Sequence, residues 1–161
     1  MNGALHVDFH PGAGQPLLLV HGICSSRAQW RPNLSALAEV CTPVVVELLG
    51  HGRSQSPEDP DDYRVEAYVE RFEAIRASLG AERWAVCGQS FGAGLTLSYA
   101  LAYPDRVSAQ VFTNSASALG PRRDVVSDEE RDRRIAAFEA RGRPALEAMP
   151  FYPRRTGRLA P

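Results

Sequence analysis

Three short apolar runs punctuate the first part of the chain, each bounded by glycine, proline or polar residues: Pro16-Leu17-Leu18-Leu19-Val20, the run from Val44 to Leu49, and Arg83 to Cys87. Runs of this kind without polar alternation are typical of strands buried on both faces. Between them the apolar spacing becomes helical. Trp30, Leu34, Leu37 and Val40 fall on one face of a helix expected over Ser26 to Val40, and Val65, Tyr68, Phe72, Ile75 and Leu79 do so over Tyr63 to Leu79. Leu95, Leu97, Ser98, Leu101 and Ala102 make a further helix that Pro104-Asp105 ends. At the N-terminus, Leu5 to Phe9 is expected to form a hairpin turning at Pro11-Gly12-Ala13-Gly14. Strands alternating with helices predict an α/β fold with a mostly parallel sheet, helices on both faces, and functional residues in loops at the strands' C-terminal ends.

The pattern changes beyond Gly120. Ser127-Asp128-Glu129-Glu130 has capping-box spacing, so a helix is expected from there to about Gly142, with only Ile135 and Phe138 as an apolar stripe. Residues 121–161 hold ten Arg against seven acidic residues, and residues 1–120 hold eight against twelve. The division expected is therefore 1–120 as a core and 121–161 as a separate helical segment with a frayed tail. The net charge of −1 points to neither a nucleic-acid nor an acidic-membrane partner. Cys24, Cys41 and Cys87 are odd in number and lie in or beside apolar strands, which predicts reduced, buried thiols. No leader pattern or membrane-length apolar stretch is present, so the expected location is cytoplasmic.

The chemistry concentrates in Gly88-Gln89-Ser90-Phe91-Gly92, where an apolar strand breaks directly into a helix. A serine at such a turn is held in a strained conformation with its hydroxyl exposed at a helix N-terminus, and Gly88 and Gly92 leave room for strand and helix to close. The unpaired N–H groups there favour the anion formed when an acyl carbonyl is attacked. His21-Gly22-Ile23 ends an earlier strand. If that strand lies beside the Ser90 strand, the Ile23 and Phe91 amides form a two-donor oxyanion hole.

These segments resemble the α/β-hydrolase fold family: His21-Gly22, Glu47-Leu-Leu-Gly-His-Gly-Arg-Ser54 and Gly88-Gln-Ser-Phe-Gly92 come in its order and spacing across roughly residues 4–120. The resemblance implies Ser90 as nucleophile, Ile23 and Phe91 as backbone oxyanion donors, and His21, Gly22, Gly88, Gln89 and Gly92 as supporting positions. It implies neither a cofactor nor a metal, and a small-molecule, ester-like substrate. Glu47 stands where the family usually carries a loop-organising Asp. The family's acid and histidine follow the serine in chain order, whereas His6, His10, His21 and His51 all precede it, and Asn114-Ser115-Ala116-Ser117 offers no carboxylate. The chain is therefore expected to be an N-terminal portion, truncated before the last strands, with residues 121–161 beginning a helical lid. Val107 to Thr113 would then be an exposed sheet edge, which leaves self-association open.

A serine elbow disfavours the dehalogenase and epoxide-hydrolase branches, which form alkyl-enzyme esters. Carboxylesterases, lactonases, thioesterases and C–C bond hydrolases remain open. So do a non-catalytic ligand-binding relative and a catalytic chain using His51 as base; Cys24 has no identifiable partner that would make it a nucleophile.

Overall fold

The structure, a computed structural model, describes residues 3–115 and 127–148. Strands β1 (His6–Phe9), β2 (Pro16–Val20), β3 (Thr42–Glu47), β4 (Trp84–Gln89) and β5 (Val107–Thr113) form one sheet in the order β1-β3-β2-β4-β5. β2 to β5 are parallel, and β1 runs antiparallel to β3. Successive side chains of a strand point to opposite faces, so each central strand builds two cores. Leu18, Val20, Val44, Val46, Trp84 and Val86 meet Tyr68 and Phe72 of helix α2 (Val65–Ser78) and Leu95 and Tyr99 of helix α3 (Phe91–Ala102). Leu17, Leu19, Val45, Ala85 and Cys87 meet Trp30 and the half-buried Leu34 and Leu37 of helix α1 (Arg31–Ala38). Each large apolar side chain so covered stabilises the fold by about 1.5–3 kcal/mol.

The expected N-terminal hairpin does not form. β1 pairs with β3, from His6 opposite Glu47 to Phe9 opposite Val44, because both sides of β2 are taken by β3 and β4. Residues 10–15 instead cross the start of β3. The amides of His10 and Ala13 donate to the carbonyls of Pro43 and Ala38, and the Thr42 amide donates to Gln15. Gly12 is required there, since a Cβ would collide with the Cys41 carbonyl. The helix expected over Ser26 to Val40 begins as a 3-10 turn, Arg27–Trp30, and becomes α-helical at Arg31. Pro32 lacks an N–H and fits only a first turn, which explains the break. Val40 lies past the helix end and is exposed rather than on its buried face.

The chain divides into two units, residues 1–119 and 120–161. In the second, α4 (Asp128–Arg141) is capped by Ser127, whose Oγ accepts from the Glu130 N–H at 3.2 Å. The Glu130 carboxylate pairs with Arg133 and Arg134 rather than completing the capping box. Gly142, at φ +56°, separates α4 from α5 (Arg143–Glu147). The expected connection through residues 116–126 and the tail at 149–161 lie outside the described residues. Among the described residues no helix is long and apolar enough to cross a membrane.

Candidate active site

β4 ends at Gln89 and α3 starts at Phe91, so the whole turn between them is Ser90, at φ +50° and ψ −114°. That left-handed conformation is uncommon for a residue with a side chain and persists only where neighbours enforce it. They do so here through hydrogen bonds from the Ser90 amide to the Thr113 carbonyl of β5 at 3.1 Å, and from the Ala93 amide to the Ser90 carbonyl at 3.0 Å. Glycine permits the close approach on both sides. A Cβ on Gly88 would collide with the Gly92 backbone, and one on Gly92 would lie 2.5 Å from the carbonyl oxygens of Val20 and His21.

The second loop arrives by strand register. Val20 lies opposite Gly88 in the parallel β2–β4 pair, so the residues after β2 run beside the elbow. Gly22 sits against Gln89, whose side chain occupies the space a Cβ would need. Gly22 to Ser25 then form a turn closed by the Ser25 amide on the Gly22 carbonyl at 3.2 Å. Among the described residues, neither the Ile23 nor the Phe91 amide donates to a protein acceptor. Ser90, Ile23 and Phe91 are thus gathered at the C-terminal ends of β2 and β4, with His21, Gly22, Gly88, Gln89 and Gly92 packed beneath them.

The histidines are engaged elsewhere. His21 is fully buried; its Nδ1 donates to the Gly22 carbonyl at 2.7 Å and its Nε2 accepts from the Leu48 amide at 3.0 Å. Burial pushes its pKa below the ordinary histidine value, against the opposing pull of the Gly22 carbonyl. His51, at 5.1 Å between ring centroids, repeats the arrangement in reverse: Nδ1 donates to the Leu49 carbonyl at 3.0 Å and Nε2 accepts from the Cys24 amide at 3.1 Å. A carbonyl only accepts and an amide N–H only donates, so both tautomers are fixed. His51 therefore has no lone pair for a serine proton, and the reading of it as the base is set aside. His6 pairs with Asp8 on β1, which β3 and β2 separate from β4.

Cys24, Cys41 and Cys87 are free, and burial raises the Cys24 thiol, which removes the case for a cysteine nucleophile. Glu47 is buried, with one oxygen accepting the Arg53 amide at 2.7 Å, and its extra methylene relative to Asp is accommodated by Gly52, where a Cβ would meet the carboxylate. Asn114, at φ +49°, and Ser115 follow β5 without a carboxylate; Ala116 and Ser117 lie outside the described residues. Among the described residues no three His, Cys, Asp or Glu side chains group as a metal site. Sequence reasoning missed the bond between His51 and Cys24. Its one local signal was the glycine on each side of His51, both at positive φ.

The model of a family described as alpha/beta hydrolase fold matches residues 15–152. Among curated proteins, the chain is similar to an uncharacterized protein of Mycobacterium bovis, 33% identical over 114 residues that span 71% of this chain and 32% of that one. It is also similar to 2-hydroxymuconate semialdehyde hydrolase of a Pseudomonas species, 32% identical over 113 residues, 68% of this chain and 40% of that one. Among solved structures it is similar to an epoxide hydrolase from an endophytic Streptomyces, with a TM-score of 0.63 and 34% identity over 67% of this chain and 33% of that one. The chain spans about a third to a half of the length of the curated relatives it matches.

Proposed function

The chain belongs to the α/β-hydrolase fold family, and from that premise we propose that it carries the nucleophile and oxyanion donors of a serine hydrolase acting on carboxylic ester-like substrates. The observation that supports this is the convergence of a strained Ser90 with two amides, Ile23 and Phe91, that have no protein acceptor. Ser90 Oγ attacks the carbonyl carbon, the carbonyl oxygen becomes an anion received by the two amides, and collapse expels the alcohol to leave an acyl-enzyme. Water then attacks the acyl carbon, releases the acid and restores Ser90.

The likeness to an epoxide hydrolase concerns the fold and does not carry its chemistry across. Opening an epoxide through an alkyl-enzyme ester needs a carboxylate at the elbow, and this chain has a hydroxyl. C–C bond hydrolysis remains the second reading, supported by the likeness to 2-hydroxymuconate semialdehyde hydrolase.

His6, His21 and His51 are committed to other partners, and His10 follows β1, which β3 and β2 separate from the Ser90 strand; losing the base of a triad costs several orders of magnitude in turnover while oxyanion donors keep some catalysis over water. The 161-residue chain is therefore expected to hydrolyse p-nitrophenyl acetate slowly. Because the oxyanion donors remain without the base, prolonged incubation with excess fluorophosphonate, followed by mass-spectrometric mapping, is expected to find a slowly formed adduct on Ser90 and none in Ser90→Ala. An adduct on another serine overturns the assignment, and no adduct at all favours a ligand-binding relative without catalysis.

A further inference from the structure

The turn that carries Ile23 has an unusual residue at its third position. Gly22 to Ser25 close an i to i+3 hydrogen bond with Cys24 at φ +57°, the value a type II turn demands and one normally supplied by glycine or asparagine. With a cysteine there, the same four residues ordinarily reverse the central Ile23–Cys24 peptide and place the third residue at negative φ. The N–H of that central peptide is the one His51 Nε2 accepts, at 3.1 Å.

The ring is itself firmly presented. Gly50 and Gly52, at φ +74° and +53°, bend the loop on either side of His51. The His51 amide donates to Leu48, and its carbonyl accepts from Ser54. The Glu47 carboxylate holds the Arg53 amide, and the Gly50 amide donates to Gln55. The Leu49 carbonyl takes the Nδ1 proton and so leaves the lone pair on Nε2.

We propose that His51 is a positioning residue: by accepting the Cys24 amide it ties the Gly22–Ser25 turn to the loop between Gly50 and Gly52 and thereby holds the segment that carries the Ile23 amide in place beside Phe91. This deepens the oxyanion role given above and rests on it. What the position needs is an acceptor, at the reach of Nε2, facing Cys24; neither charge nor proton transfer is involved.

The test uses the whole 161-residue chain labelled with 15N. A scalar coupling across the hydrogen bond between the Cys24 amide nitrogen and His51 Nε2 is expected in the unaltered chain, and its absence overturns the proposal while leaving Ser90 untouched. The second measurement is the rate of fluorophosphonate labelling at Ser90. His51→Leu removes the acceptor and is expected to slow labelling about tenfold or more, whereas His51→Gln, whose Oε1 can accept near the same point, should stay within about threefold of the parent. Should His51→Leu fail to fold, His51→Asn replaces it, since asparagine suits a glycine-flanked turn but falls short of Cys24; it is expected to be slow as well. Equal labelling in the parent and a folded acceptor-free variant overturns the positioning role alone. Failure of the parent to label at Ser90 overturns the nucleophile reading and the positioning role with it.

Discussion

At the scale of single residues, the site is a set of substitutions the backbone cannot absorb. Gly92→Ala would put a methyl 2.5 Å from two carbonyl oxygens at the end of β2, so α3 must shift away, at a cost of about 1–3 kcal/mol. Gly94 lies in the same helix with nothing near its Cβ position, and Gly94→Ala is expected to be neutral or stabilising by up to about 1 kcal/mol. Urea melts of the two variants measure the contrast. His21 makes a pH prediction. Its folded pKa lies below the unfolded value of about 6.5, so between the two values the unfolded chain binds more protons. Stability is then complete above about pH 6.5 and declines below it by up to about 1.4 kcal/mol per pH unit, levelling off below the folded pKa. Glu73, held low chiefly by its hydrogen bond to Arg76, adds a further loss only at more acid pH. A urea midpoint that does not move between about pH 8 and about pH 5.5 would contradict the assignment of His21 as a neutral buried acceptor. The tight turn at Ser90 between strand and helix was legible because the glycine spacing of an elbow is local. The acceptor role of His51 was not, because it depends on two loops meeting across the β2–β3 pair.

At the scale of elements, β2, β3 and β4 could be read from sequence because a strand buried on both faces leaves an apolar run. Pairing is another matter: nothing local in Leu5 to Phe9 distinguishes β3 from β2 as a partner, and the short proline- and glycine-rich link suggested the wrong one. The break in the first helix was carried by Pro32, a one-residue signal inside a valid helical stripe. The attachment of the 3-10 turn Pro60–Tyr63 to α2 was not legible at all. It depends on Arg71, buried against Asp62, which also donates to the Gly3 carbonyl at 2.7 Å and the Asp62 carbonyl at 2.8 Å. Asp62→Ala leaves a buried guanidinium without its counter-charge and is expected to cost about 3–5 kcal/mol. Asp61→Ala removes only an exposed pair with Arg64 and should cost less than about 1 kcal/mol. Equal denaturation midpoints for the two variants would refute the difference.

At the scale of the whole molecule, the two borders of the sheet are unlike. β1 is four residues long and carries His6 and Asp8, with Asp8 paired to Arg27, features that discourage another strand from adding. β5 is seven residues long, has no charged residue, and leaves Val111 47% exposed. The 161-residue chain is therefore expected to self-associate with rising concentration in size-exclusion chromatography with light scattering, and Val111→Lys to shift it toward monomer. A monodisperse monomer at every concentration would count against an adhesive edge. The pairing of β1 with β3 also has a consequence in time. His6 waits for Glu47, 41 residues on, and Phe9 for Val44, 35 residues on, a delay of about 2–8 s at ordinary rates of translation. β1 is thus unable to dock when made, and residues 10–15 have no Ala38, Thr42 or Pro43 to hold. A nascent chain stalled before Thr42 should be cut by protease in that stretch, while one that has released β3 should be protected there, so that at the N-terminus synthesis and assembly run in opposite directions.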